Sequence, residues 1–224
     1  MVNKIVLTTV VADILFLASG AFQLGFALIV KRVMGEQATD GMQAARNLLY
    51  QRFPLQAGIV NAIMIFVTFA MTLPGLVTPA RGWLKLSGGL VTVCGLFSLC
   101  IGIYLWILTL RTKADFFQIW MRQEAPVQDL MQTSFECCGY FNSTSPAFVT
   151  NPACPSPAAA ALMIGCAAPI TSFSNIFIDD IFTAVFGMVG VDAVLILSIA
   201  CLLKDRKERE RYRHIDEKTG YTGI

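Results

Sequence analysis

Four long apolar runs alternate with polar segments along this chain of 224 residues. At a rise of about 1.5 Å per residue, each run can cross a hydrocarbon core of about 30 Å as an α-helix. The pattern therefore predicts four membrane-spanning helices, at residues 5–30, 56–77, 84–110 and 176–203.

The first run has a rival interpretation as a signal peptide, because Lys4 gives the chain a short basic start. The apolar core of a signal peptide is about 7–15 residues long, which is shorter than the run 5–30. No Ala-x-Ala cleavage site follows this run. We therefore expect it to be retained as a helix.

The polar segments between the runs differ greatly in length. An even number of spans places both termini on one side of the membrane and two loops on the other. The segments are a terminus at 1–4, a small loop at 31–55, a turn at 78–83, a large loop at 111–175 and a charged tail at 204–224. Within the large loop, the pattern predicts a helical continuation of the third span over 111–124 and a short helix at 127–135.

Basic residues indicate which side is cytoplasmic. With the termini inside, the inner side holds ten Lys and Arg residues, including Lys85 at the start of the third span, and the two loops hold the other seven of the chain's 17. The basic run that begins at Lys204, directly after the fourth span, favours the same orientation. We therefore expect both termini to be cytoplasmic.

The composition agrees with a membrane protein. The chain is 55% hydrophobic and 14% charged, with a mean hydropathy of +0.63. A net charge of +2 provides no strong basic field for nucleic acid. His214 is the only histidine, and no phosphate-binding loop, zinc spacing or nucleophile motif occurs in the sequence. We expect a protein that is not an enzyme and that carries no catalytic residue, metal or cofactor.

Four of the seven cysteines lie in the large loop, where an extracellular position would allow disulfides. They are Cys137, Cys138, Cys154 and Cys166. Four cysteines allow three connectivities, and a bond between the adjacent pair is unfavourable, which leaves two. The other three cysteines lie in apolar runs.

The motif Cys137-Cys138-Gly139, placed in this four-span topology with two later cysteines, resembles the tetraspanin family over essentially the whole chain. The resemblance implies a four-helix membrane bundle topped by a large loop with the bonds Cys137–Cys166 and Cys138–Cys154. Within the family, the chain is most similar to tetraspanins of filamentous fungi that are linked to host penetration.

The resemblance also implies a function and a location. It implies a scaffold in the plasma membrane, or in endosomal or vacuolar membranes, that recruits other membrane proteins through the large loop and the spans. The implied partners are other tetraspanins and a membrane NADPH oxidase system at sites of polarised growth. A space between the spans that admits a sterol or another lipid is implied as well.

Polar side chains within the spans are costly and often functional. We expect Asp13 and Asp192 to be protonated and hydrogen-bonded to neighbouring helices, at depths too different for a direct pair. Gln23 and Asn61 lie at similar depth and are expected to hydrogen-bond to each other. Gly88, Gly95 and Gly102 recur every seven residues, which predicts close helix packing along the third span.

Several residues are candidates for modification or sorting. Cys201 lies just before the charged tail and is a candidate for palmitoylation, against an inert buried thiol, whereas Cys94 and Cys100 are expected to be packing residues. Asn142 begins a glycosylation sequon. Two patterns in the tail have the form that sorting adaptors read, Tyr212 to Ile215 and Tyr221 to Ile224.

Two other classes of protein fit parts of the pattern. A small transporter, or a protein that binds a lipid or sterol, could use Asp13 and Asp192. A claudin-like junction protein also has four spans, but its signature cysteines belong in the first loop, and the segment 31–55 has none.

Overall fold

The computed structural model describes residues 4–146 and 148–219. The regular secondary structure in this part of the chain is α-helical, apart from one isolated β-bridge between Asn142 and Ser145. The helices are α1 (Lys4–Val33), α2 (Gly41–Tyr50), α3 (Leu55–Val77), α4 (Arg81–Trp120), α5 (Ala125–Phe135), α6 (Pro157–Ala161) and α7 (Ala167–Thr219).

Four of these helices, α1, α3, α4 and α7, are long and apolar enough to cross a membrane. The shortest of them, α3, has 23 residues, so its length is about 35 Å at 1.5 Å per residue. The prediction of four helices that are long and apolar enough to span a membrane is confirmed. Large apolar side chains stay exposed along them, as expected of helices that face hydrocarbon; they include Leu7, Val11, Ile14, Ile63, Val67, Val93, Leu96, Val194 and Leu197.

Two helices extend beyond the apolar runs. The helix α4 continues to Trp120, as the amphipathic pattern after the third run predicts. The helix α7 begins at Ala167, before the apolar run, and continues through the charged tail to Thr219, which the sequence did not indicate. The predicted short helix before the cysteine motif is present as α5.

The chain divides into two compact units. The span unit comprises Met1–Gly25, Gln56–Ile101 and Val185–Ile224, and the loop unit comprises Phe26–Leu55 and Gly102–Ala184.

The core of the span unit consists of apolar residues from four helices. These residues are Ala12, Phe16, Ile65, Leu84, Val91, Cys94, Leu195, Ile199 and Leu202. Glycines let α4 approach α7 closely, because a Cβ on Gly88 would lie 3.2 Å from Ile199 Cγ2. The predicted packing role is therefore confirmed for Gly88, and Gly95 has a similar position that is described below.

The loop unit has a core of its own around the fully buried Trp120. Tyr140 packs on Trp120 with ring centroids 5.6 Å apart, and on Phe117 at 5.3 Å. The helix α2 adds Ala44, Ala45 and Leu48 to the same core. The sequence pattern did not predict α2, whose apolar face is buried by the rest of the loop unit.

Candidate functional site

The Cys-Cys-Gly motif follows directly on the end of α5. Glu136 ends the helix in a left-handed conformation, with φ at 48°. Gly139 is also left-handed, at φ 70°, where glycine carries no steric penalty. A Cβ on residue 139 would overlap Asn142 O and lie 2.9 Å from Pro146 O. Both the backbone conformation and the available space therefore require glycine at this position.

The four cysteines of this segment form two buried disulfides. Cys137 bonds to Cys166 and Cys138 bonds to Cys154, so the second closed loop lies inside the first. Of the two connectivities left open by the sequence, this is the one that the family resemblance implies. A bond that closes a loop of about 15 residues stabilises a fold by about 3 kcal/mol in the chain-entropy model.

Backbone hydrogen bonds join the motif to the start of α7. Cys138 N donates to Ile164 O at 3.0 Å, Cys166 N donates to Gly139 O at 3.0 Å, and Ala167 N donates to Tyr140 O at 2.8 Å. The two backbones approach so closely that a Cβ on Gly165 would overlap Phe141 O. Burial raises the pKa of the Tyr140 phenol above 10, its ordinary value. The motif therefore sets the position of the residues that precede α7.

Gln132 on α5 holds the proline-rich stretch that follows the motif. Its side chain is fully buried; Nε2 donates to Val149 O and Oε1 accepts from Val149 N, both at 3.0 Å. Nε2 also lies 3.2 Å from Cys154 Sγ. The side-chain amide thus satisfies both backbone groups of a residue that has no regular secondary structure.

Asn151 completes this arrangement beside the third cysteine. Its Nδ2 donates to Asp129 Oδ1 at 2.6 Å, and its Oδ1 accepts from Cys154 N at 2.6 Å. Sequence reasoning missed Gln132 and Asn151. A signal was available, because Asp129, Gln132 and Thr133 share one face of α5 at helical spacing.

A second polar contact joins α2 to α5. Ser134 Oγ donates to Asp40 Oδ1 at 2.6 Å and accepts from Gly41 N at 3.0 Å. The hydrogen bond from Ser134 lowers the pKa of the Asp40 carboxyl below 3.8. Gly41 lies so close to α5 that a Cβ would overlap Leu130 O. This contact places α2 against the helix that carries the cysteine motif.

The stapled segment exposes an apolar patch formed by Phe141, Leu162, Met163 and Ile164. Their exposed fractions are 46%, 88%, 36% and 61%. The patch has a rigid base, because Ile164 O accepts from Cys138 N and Gly165 packs against the Phe141 backbone. Exposed apolar groups on a fixed backbone are typical of a surface that binds a partner.

The sequon residue Asn142 follows the patch residue Phe141 and is exposed. Its Oδ1 accepts from Thr144 N at 3.0 Å and from Thr144 Oγ1 at 2.9 Å. The amide nitrogen, to which a glycan would be attached, therefore stays accessible. A glycan there would adjoin the apolar patch.

Asp13 is a buried residue of α1 whose side chain faces α3 in the span unit. Its Oδ2 accepts from Thr72 Oγ1 at 2.7 Å, so the predicted hydrogen bond to a neighbouring helix is confirmed. Its Oδ1 is buried and has no partner among the described residues.

Gln23 and Asn61 are joined as predicted, with Asn61 Nδ2 donating to Gln23 Oε1 at 3.0 Å. The same Nδ2 group donates to Ser98 Oγ at 2.9 Å. Asn61 is fully buried, and its bonds link α1, α3 and α4. Ser98 was not predicted to take part in this network.

Asp192 on α7 is buried against α4, where a Cβ on Gly95 would lie 3.2 Å from its own Cβ. The Ser98 hydroxyl also faces this carboxyl. However, neither carboxyl oxygen has a partner in hydrogen-bonding geometry among residues 4–146 and 148–219. Ser98 on α4 is the neighbouring-helix group that interacts with this carboxyl, and the predicted hydrogen bond of Asp192 stays a prediction.

The three free cysteines differ in exposure. Cys94 is buried and its Sγ lies 3.4 Å from Thr68 Oγ1, as expected of a packing residue. Cys100 is exposed, so the prediction of a packing role within the chain is wrong; it lies on the outer face of α4. Cys201 is exposed on α7, so it is not an inert buried thiol.

The tail residues Tyr212 and Ile215 are exposed on the helical extension of α7. The second candidate sorting pattern, Tyr221 to Ile224, lies outside the described residues.

In comparisons of this chain with protein-family models, curated proteins and solved structures, no significant match was found.

Proposed function

We propose that this protein is a non-enzymatic organiser of membrane proteins, similar to a tetraspanin. In this proposal the loop unit recruits partner membrane proteins and the four spans provide lateral contacts. The single observation that supports it best is the exposed apolar patch of Phe141, Leu162, Met163 and Ile164 on a disulfide-stapled base.

The architecture of the loop unit favours binding over chemistry. Two disulfides, the Gln132 amide and the Asn151 side chain hold the backbone that presents the patch. A preorganised apolar surface loses little conformational entropy when it binds, so more of the contact energy appears as affinity. Apolar anchors at the centre of an interface commonly supply most of that energy.

We place the protein in the plasma membrane, or in endosomal or vacuolar membranes. In this topology both termini lie in the cytoplasm, and the stapled segment lies on the opposite side of the membrane. The disulfides support this placement, because they persist in oxidising compartments. The accessible Asn142 amide is compatible with glycosylation on the same side. The exposed thiol of Cys201, next to the charged tail, is the proposed palmitoylation site.

The identity of the partners follows only from the family resemblance. We propose other tetraspanins and a membrane NADPH oxidase system, at sites of polarised growth or host penetration in a fungus. A lipid or sterol between the spans is part of the same proposal.

The test is to isolate the tagged protein from fungal cells in mild detergent and to identify the proteins that co-purify. The decisive variant is Leu162→Glu with Ile164→Glu, which changes exposed side chains only. The matched control is Met42→Glu, which alters an exposed apolar residue of α2 in the same unit.

We expect the double variant to lose specific membrane-protein partners at least tenfold, and the control to keep them. Equal recovery of the same partners by the double variant would show that the patch does not bind them. An intact pair of disulfides in each variant, measured by gel mobility with and without reductant, establishes that the loop unit has folded.

A second candidate function is that of a transporter, or of a protein that binds a lipid or sterol within the spans. The observation that favours it is the buried carboxyl of Asp192, whose two oxygens have no partner among the described residues. Asp13 also keeps one unpartnered oxygen. Solute flux into liposomes that contain the protein, and its loss in Asp192→Asn, would support this function over the scaffold.

A further inference from the structure

A basic cleft lies in the span unit, where the turn between α3 and α4 meets the extension of α7. Its volume is about 750 Å³. Its charged lining residues are Arg81, Arg206, Arg209, Glu210 and Arg213. Four arginines and one glutamate among these residues give the lining a formal charge of +3.

The cleft is built by contacts that fasten α7 to the end of α3. Arg206 donates from one guanidinium nitrogen to Thr78 O at 2.7 Å and from the other to Leu76 O at 3.0 Å. These carbonyls belong to the end of a helix and need donors from outside it. Arg81 forms an ion pair with Glu210. Arg206, Arg81 and Glu210 therefore hold the walls in place.

The two remaining arginines do not hold the walls, and both are exposed to solvent. Arg209 is mostly exposed, and its Nε forms an ion pair with Asp205 Oδ2 of the same helix at 3.0 Å. Arg213 is exposed and has no ion-pair or hydrogen-bond partner in the part of the chain that the structure describes. Arg206, Arg209 and Arg213 recur at three- and four-residue spacing, so they lie on one face of α7.

The position of the cleft points to a membrane lipid. It lies between the last residues of α3 and the first residues of α4, at the limit of two apolar spans. Basic clusters directly beside a spanning helix attract anionic lipid headgroups. Guanidinium groups also bind phosphate oxygens in a bidentate manner.

The charge of the cleft points to more than one phosphate. A phosphomonoester carries about −1.5 to −2 charge at pH 7, so two of them match a lining of +3. We propose that this cleft binds the headgroup of a phosphorylated inositol lipid, with Arg209 and Arg213 contacting its phosphomonoester groups. The proposal does not depend on the scaffold function.

The test uses the full-length protein, reconstituted in phosphatidylcholine nanodiscs and studied by calorimetry. Three probes are titrated: dioctanoyl phosphatidylinositol bisphosphate, dioctanoyl phosphatidylserine and soluble inositol trisphosphate. We expect the bisphosphate lipid to bind at least tenfold more tightly than either of the other probes. Equal or tighter binding of the soluble inositol trisphosphate would overturn the assignment to a lipid.

The variant Arg209→Gln with Arg213→Gln removes two charges from the cleft without touching Arg206. The matched control, Lys207→Gln with Arg211→Gln, removes two charges from the same helix at residues that do not line the cleft. We expect the cleft variant to weaken binding of the bisphosphate lipid at least tenfold and the control to weaken it less than threefold. If both variants lost the same affinity for the bisphosphate lipid, binding would depend on the general charge of the tail, and the proposed site would be wrong.

Discussion

Asp192 occupies space that exists because residue 95 is a glycine: a Cβ on Gly95 would lie 3.2 Å from Asp192 Cβ. The aspartate on α7 therefore packs directly against the glycine on α4, although the two residues lie 97 positions apart in the sequence. The close approach brings the buried carboxyl next to the Ser98 hydroxyl, which accepts a hydrogen bond from Asn61. This relationship leads to the first prediction.

The variant Gly95→Ala should destabilise the span unit by about 1–3 kcal/mol, because the added methyl forces α4 and α7 apart. The measurement is the thermal unfolding midpoint of the purified protein in detergent. The control is Gly89→Ala on the same helix, where no atom lies within 4 Å of the added Cβ. That control should be neutral or slightly stabilising, since alanine favours a helix over glycine by about 0.5–1 kcal/mol. Equal midpoints for both variants would contradict the packing argument.

The variant Thr72→Val should also destabilise the span unit. It has nearly the same shape but removes the hydroxyl that donates to Asp13, which leaves a buried carboxyl oxygen without its donor. Such a loss costs about 1–3 kcal/mol. The control Thr92→Val removes an exposed hydroxyl that donates a hydrogen bond to Gly88 O of its own helix. We expect a lower unfolding midpoint for Thr72→Val only; a drop of the same size in both variants would assign the effect to the loss of any threonine hydroxyl.

The variant Gln132→Leu should loosen the proline-rich stretch after the cysteine motif. Leucine has a similar size but leaves Val149 N and Val149 O without their partner in the interior. We expect a cost of about 2–4 kcal/mol from these two backbone groups. Hydrogen exchange at the Val149 amide should accelerate, and cleavage by a protease near this residue should increase. The control is Gln118→Leu, which changes an exposed glutamine of α4 and should leave exchange at Val149 unchanged. Unchanged exchange at Val149 in Gln132→Leu would contradict the role of the Gln132 side-chain amide.

The contact between α2 and α5 should weaken in acid. Folding lowers the pKa of Asp40 below 3.8 through the hydrogen bond from Ser134. The ionised carboxylate therefore stabilises this contact above pH 3.8, and the stabilisation is lost as the pH falls through the lowered pKa. Hydrogen exchange at the Gly41 amide, corrected for its intrinsic pH dependence, should accelerate below that pH. In Asp40→Asn this acid-dependent step should be absent, and its persistence would assign it to another group.

The sequence was sufficient for the spans because the cost of exposing backbone and polar groups to hydrocarbon is local to each segment. The runs that become α1 and α3 begin and end within a few residues of the predicted bounds. The pair Gln23 and Asn61 could be predicted for the same reason, since depth in a span follows directly from position along it. The four cysteines of the large loop could be selected as disulfide partners, but their pairing needed either the family resemblance or the structure.

Other features depended on contacts between residues far apart in the chain. The apolar surface of α2 is too small for its burial to be predicted from the sequence. The helix packs against α5 in the structure. Gln132, Asn151 and Ser98 looked like ordinary polar residues until the backbone placed Val149, Cys154 and Asn61 beside them.

The sequence by itself determined four apolar spans, the unequal segments between them and the cysteines available for bonding, because hydropathy and residue type act locally. Only the tertiary structure decided that Asp192 stands against Gly95, that Arg206 binds the end of α3 and that the patch around Leu162 is exposed. The physical reason is that burial and partner choice depend on which surfaces meet, and helices of similar composition can meet along many different faces.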